Sequence, residues 1–231
     1  MRFTLCLFVL LASDSPFSSA TEPLPLLVAE DFEHGMNDWQ TTDPDRSKPF
    51  WRIEPLFMQG QRNHVLRVLG KSDYQPPYRS PHSIALWKNL VVGDFELTVD
   101  VQNTNVNAGP HRDLCLFWGY QDPAHFYYVH FGAKPDPHAC QIFIVNDAPR
   151  TMITMNQATG TPWTIGWHRL KVVRKVEDGT IGVFFDLMDE PLMTAQDTTF
   201  AWGQVGIGTF DDHGHFDNVV LRGVKVSRPA P

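Results

Sequence analysis

Between Arg112 and Phe131 the chain reads RDLCLFWGYQDPAHFYYVHF, a stretch that gathers large aromatics and polar tips suited to holding a ligand. It is expected to form two strands joined by a turn at Gln121–His125, because the proline of Asp122-Pro123 presets φ for the first corner of a turn. If Tyr120 faces Phe126, then Trp118 faces Tyr128 and Leu116 faces His130. Side chains alternate along a strand, so Leu116, Trp118, Tyr120, Phe126, Tyr128 and His130 share one face. Cys115, Phe117, Tyr127, Val129 and Phe131 share the other, which is nearly all apolar and is assigned to the core. The first face combines ring surface with hydrogen-bonding groups, the chemistry of a sugar-binding surface. It is equally consistent with a second buried layer or a ladder of aromatics between strands.

Other strands must position this hairpin. Phe95–Val101 (FELTVDV) alternates strictly, with Phe95, Leu97, Val99 and Val101 inward. Gln141–Val145 is a strand that adds Gln141 and Phe143 to the aromatic face and sends Ile142 and Ile144 to the core. Trp167–Val176 and Thr180–Leu187 form a hairpin across Glu177-Asp178-Gly179, where glycine supplies a positive φ. Further strands are expected at Leu26–Phe32, Trp51–Ile53, Val65–Leu69, His82–Trp87, Gln204–Thr209 and Phe216–Val226. The segment Tyr74–Pro81 (YQPPYRSP) reads as an extended loop stiffened by prolines. Long helical periodicity and repeats are absent, and many short strands in one domain point to a two-sheet sandwich or jelly roll.

With 231 residues the chain can bury a substantial core. Its net charge of −7 and the lack of a basic run argue against a nucleic-acid partner. At the N-terminus Arg2 precedes an apolar stretch, Phe3–Ala12, too short to span a bilayer. Ser18-Ser19-Ala20 supplies the small residues of a cleavage site. Residues 1–20 are therefore expected to be a signal peptide cleaved after Ala20. Residues 21–231 are expected to form one exported domain without a membrane span, secreted or periplasmic in a bacterium. Cleavage removes Cys6 and leaves Cys115 and Cys140. The strand order places these roughly 9–10 Å apart, beyond the roughly 7 Å reach of a disulfide, so two buried thiols are expected.

Three segments, the DFEHG…DW turn beginning at Asp31, GDFELTVDV from Gly93, and WGQVGIGTFDDHGHFDNVVL from Trp202, resemble the concanavalin A-like lectin/glucanase superfamily. Within it they are similar to exported bacterial domains near the laminin-G-like and 3-keto-disaccharide hydrolase-like groups. The resemblance implies an all-β, concanavalin A-like jelly-roll β-sandwich of two antiparallel sheets, a fold that hosts lectins, carbohydrate-binding modules, glycosidases and polysaccharide lyases. A family 16 glycosidase would carry E-x-D-x-x-E on one strand, setting two carboxylates about 5–5.5 Å apart, and no such strand is present. A lyase would need a cation or amide against a uronate carboxylate and a Tyr or His to take the C5 proton. Arg112, Gln141, Tyr128 and His130 could fill those roles. A binding module needs only aromatic platforms and planar polar groups: Trp118, Tyr128, His130, Gln141 and Trp87, flanked by Arg79 and His82.

The principal expectation is an exported domain that binds a polysaccharide or oligosaccharide in an aromatic groove. The alternatives are a lyase or glycoside hydrolase using His130 and Tyr128, and a noncatalytic envelope or protein-interaction domain. Many superfamily members hold a structural calcium between first turn and last strand, which here implies Asp31, Glu33 and Asp217 as ligands, hard oxygen donors of the kind calcium prefers. Asp31 and Asp217 could equally cap turns. Asp211, Asp212, His213 and His215 form a second polar cluster, readable as a transition-metal site or as solvated loop residues.

Overall fold

The structure, a computed structural model, describes residues 22–58, 60–156 and 158–228. The expected signal peptide and its cleavage point after Ala20 lie outside the described residues. Sixteen strands follow in chain order among the described residues: β1 (Leu26–Glu30), β2 (Trp39–Thr41), β3 (Trp51–Met58), β4 (Gln61–Leu69), β5 (Ser83–Trp87), β6 (Val92–Asn103), β7 (Cys115–Asp122), β8 (His125–His130), β9 (Gln141–Asn146), β10 (Thr151–Met152), β11 (Thr154–Asn156), β12 (His168–Arg174), β13 (Thr180–Phe185), β14 (Met193–Gln196), β15 (Gln204–Thr209) and β16 (His213–Lys225). No described helix is long and apolar enough to cross a membrane.

The strands form the two antiparallel sheets expected. The nine-stranded sheet runs β11-β14-β13-β12-β6-β16-β4-β3, with β1 also paired to β16, and the seven-stranded sheet runs β10-β9-β8-β7-β15-β5-β2. At the centre of the larger sheet β6 keeps its alternation: Phe95, Leu97, Val99 and Val101 are buried while Glu96, Thr98 and Asp100 are half-exposed. These residues meet Val129, Ile142, Leu170, Val172 and their neighbours in one apolar cluster between the sheets. Gly179 turns the β12–β13 hairpin at φ +76°. The short strands β2, β10, β11 and β14 carry too few residues to show a period. Thr151–Asn156 passes from the edge of one sheet to the edge of the other, with Ile153 packed on the core between them.

The register of the β7–β8 hairpin differs from expectation. Trp118 pairs with Tyr127, Leu116 with Val129 and Cys115 with His130, with an irregularity between Trp118 and Asp122. The cause is a bulge at Gly119, whose φ of +57° is the left-handed conformation that glycine supplies at such insertions. On the turn side of the bulge Asp122 pairs with His125, so the turn is tighter than expected and the register again differs, although the Tyr120 and Phe126 rings still stack at 5.2 Å. Beyond it every β7 side chain changes face. Leu116 and Trp118 enter the inter-sheet core, whereas Cys115 and Phe117 join a second apolar cluster on the outer face of the smaller sheet. Phe117 is thus fully buried, but outside the core assigned to it. Cys115 and Cys140 are both buried thiols on opposite faces of this sheet.

Candidate functional site

The outer face of the seven-stranded sheet carries Ile84 and Leu86 from β5, Phe117 and Tyr120 from β7, Phe126 and Tyr128 from β8, and Phe143 from β9. β8 and β9 have the expected orientation: His130 lies opposite Gln141 and Tyr128 opposite Phe143. This part of the face is closed to solvent. The Arg150 guanidinium lies 4.6 Å from the centre of the Phe143 ring and 4.7 Å from that of Phe210, and its Nη1 donates to the Tyr128 hydroxyl at 2.7 Å. Tyr78, from the proline-rich loop, packs on the same cluster.

The expected site residues are accordingly dispersed. Trp118 is 1% exposed between the sheets and offers no platform. Tyr128, His130 and Gln141 lie side by side but are 0, 4 and 2% exposed. Burial first, then the charges of Arg150 and His111, lower the His130 pKa to about 3, so its imidazole is neutral. Arg112 turns away from them: Nε donates to the Asn103 side-chain oxygen and Nη2 to the carbonyls of Asn103 and Thr164. Trp87 packs against the inner core, edge-on to Trp39. Arg79 is exposed, and His82 sits edge-on to Phe210 with Nδ1 3.2 Å from the Tyr74 carbonyl.

The carboxylates expected for calcium come close but do not fit the ion. Neighbouring residues of β4 tie the first turn to the last strand: Asn63 donates to Asp217 Oδ2 at 2.8 Å, and the His64 main chain and Nδ1 contact Glu33 at 2.7 and 2.6 Å. Asp217 Oδ1 accepts from Asn218 and Asp31 Oδ1 from Glu33. These oxygens are engaged by N–H groups, and the three carboxylates do not converge. Among the described residues the acidic triplet whose ligand atoms lie within 4.8 Å of one another is Asp113, Asp211 and Asp212. Asp212 accepts from Asn103, Asn105 and the Asp113 main chain, and Asp113 from Phe210. A cavity of about 290 Å³, lined by Asn105, Ala108, His111, Asp211 and Asp212, adjoins them. Asp211, Asp212, His213 and His215 do not converge either: His213 Nδ1 contacts Thr104 Oγ1 and His215 Nδ1 contacts Gln102 Oε1.

What remains open is the other half of the outer face, where β2, β5, β15 and β7 lie side by side. A cavity of about 340 Å³ is lined there by Gln40, Thr41 and Thr42, Tyr74, Leu86, Tyr120, Gln121, Asp122, Pro123, Gln204 and Arg228. The Gly119 bulge keeps Tyr120 on this face, and the proline-stiffened loop brings Tyr74 over it. Gln204 donates its amide to the Trp87 carbonyl at 2.7 Å, and Gln121 to the Trp202 carbonyl at 3.1 Å. Each anchored amide retains its oxygen as an acceptor. Burial raises the pKa of both tyrosines, so their hydroxyls stay protonated donors. At the rim both Asp122 oxygens contact His125 Nδ1 at 2.9 Å, and His125 Nε2 is 3.1 Å from Asp147. Burial opposes the charged imidazole, but Asp122 and then Asp147 outweigh it and raise its pKa. Of these lining residues sequence reasoning placed Tyr120 on the ligand face and passed over the rest. The signal that would have found the pocket was Gly119, a lone glycine inside a strand pattern.

No protein-family model matches the chain, and no curated protein sequence does. Solved structures match its fold. A cellulose-induced protein superposes with TM-score 0.57 at 13% identity, covering 88% of this chain and 100% of that one. The carbohydrate-binding module CBM66 from Bacillus subtilis gives 0.54 at 16%, covering 81% and 97%. A Bacillus subtilis protein of unknown function with a galectin-like fold gives 0.52 at 10%, covering 90% and 99%. The architecture is therefore that of the concanavalin A-like jelly-roll sandwiches, as the sequence motifs implied.

Proposed function

We propose that this chain binds carbohydrate in the pocket between Tyr74, Tyr120 and Gln204. The observation that carries the reading is the lining itself, a solvent-accessible cavity of about 340 Å³ that combines two tyrosines with the amides of Gln40, Gln121 and Gln204. Ring surface takes the apolar C–H faces of a sugar, and anchored amides read its hydroxyls. The likeness to a protein named as a carbohydrate-binding module supports the same class of ligand. Residues 21–231 are the binding unit, and the leader at 1–20 delivers it outside the cytoplasm, where polysaccharide or oligosaccharide is met. Turnover through His130, Tyr128 and Arg112 gains no support from their positions, since all three are buried.

A glycan array followed by calorimetry on the hits tests the proposal. Gln204→Ala and Tyr120→Ala are expected to weaken binding at least tenfold, about 1.4 kcal/mol, with Gln204→Ala also costing about 1 kcal/mol of stability through the lost hydrogen bond to the Trp87 carbonyl. Trp118→Ala is expected to cost stability instead of specific affinity. Absence of glycan binding, or affinity untouched in both pocket variants, defeats the reading.

A further inference from the structure

Resting on that reading of the pocket, we infer that its ligand is a glycan carrying an acidic group, and that Arg228 reads that group. The charged side chains lining the cavity are Arg228 and Asp122, and they differ in what they have left to offer. Asp122 is committed: Oδ1 accepts from the Ala124 main chain at 2.7 Å, and both oxygens contact His125 Nδ1 at 2.9 Å. His125 is in turn held by Asp147. A cationic sugar would therefore meet a carboxylate already paired with an imidazole.

Arg228 is in the opposite position. Its side chain is exposed, and among the described residues it has neither a hydrogen bond nor an ion pair. Several arginines of the chain are tied down, Arg67 to Glu54, Arg169 to Asp100 and Arg174 to main-chain carbonyls, and what sets Arg228 apart from the remaining ones is its place on the cavity wall. A free guanidinium at the edge of a polar pocket presents a planar fork of donors that matches a carboxylate or sulfate bidentately. Around it the pocket adds neutral donors, the hydroxyls of Tyr74 and Tyr120 and the amide of Gln40. A neutral sugar can accept from the fork but leaves its charge without a counterion, whereas an oxyanion pairs with it bidentately. A uronate carboxylate and a sulfate ester share the required chemistry, an oxyanion on a sugar ring.

The test compares matched pairs of probes on the full chain by calorimetry: uronic-acid oligosaccharides against their carboxyl-reduced counterparts, and sulfated oligosaccharides against their desulfated counterparts. The expected result is at least tenfold tighter binding of the acidic member in one pair, with the preference shrinking as ionic strength rises. Arg228→Gln is expected to abolish that preference, Arg228→Lys to keep part of it, and neither to shift the melting temperature. The pair that discriminates names the acidic group. Equal binding of acidic and neutral members, or a preference that survives Arg228→Gln, overturns the inference and leaves the pocket standing as a carbohydrate site. Failure of every probe to bind, or binding indifferent to Gln204→Ala, overturns both.

Discussion

Asp113 and His130 are a pair of buried titratable groups whose environments push them in opposite directions. Their side chains approach to 3.4 Å. Burial first, and then the neighbouring Asp212, raises Asp113 from 3.8 to about 8, while His130 falls from 6.5 to about 3. Below its unfolded pKa Asp113 contributes its full stability, and that contribution is lost as pH rises through the folded value, because the unfolded chain gives up the proton first. His130 contributes above about pH 6.5 and loses its contribution as pH falls toward 3. From about pH 4 to 6.5 the two slopes oppose one another. Between about 6.5 and 8 Asp113 acts without that opposition, joined by His125, whose raised pKa has the same sign. Stability is therefore expected to decline across that window. Asp113→Asn should flatten most of the decline in melting temperature between pH 6.5 and 8. An unchanged slope in the variant would show that Asp113 is ionised in the folded protein.

At the scale of elements, the β7 bulge decides which residues reach the outer face. Gly119 adopts φ +57°, a conformation that costs a residue with a Cβ about 1–2 kcal/mol. A methyl there would meet the Tyr127 ring at 3.0 Å. Opposite it, the chain just before β15 approaches so closely that a Cβ on Gly203 would lie 2.1 Å from the Gly119 carbonyl carbon. Main chain cannot yield as a side-chain tip can, so Gly203→Ala is expected to destabilise more than Gly119→Ala. Denaturant midpoints for the two variants check the order. Equal midpoints would mean that β15 slides freely past the bulge. Gly119→Ala should also weaken ligand binding, because the bulge holds Tyr120 and Gln121 at the cavity.

For the molecule as a whole, the continuous apolar cluster between the two sheets leaves little for a cross-link or an ion to add. Glu33 and Asp217 already accept hydrogen bonds from His64 and Asn63. Cys115 and Cys140 lie on opposite faces of one sheet. Treatment with a chelator, and separately with a reductant, is expected to leave the melting temperature unchanged. A drop on chelation, reversed by added calcium, would show that the carboxylates of the first turn rearrange around an ion.

The sequence by itself determined the architecture. The alternation in FELTVDV, the glycine of the Glu177-Asp178-Gly179 turn and the motifs from Asp31 and Trp202 implied a concanavalin A-like sandwich, because strand periodicity and turn chemistry are local properties. Local pattern also assigned β8 and β9 their faces correctly. Tertiary structure alone decided which aromatics are open to solvent. One inserted residue at Gly119 reverses the side-chain parity of β7, a step that a period-two reading cannot see. Whether Tyr128 and His130 are covered depends on Arg150 and Phe210, which arrive from loops outside the hairpin. The pocket itself joins Gln40, Tyr74, Tyr120, Gln204 and Arg228, residues that share no motif and meet only because four strands, a proline-rich loop and the chain after β16 converge on one half of a sheet.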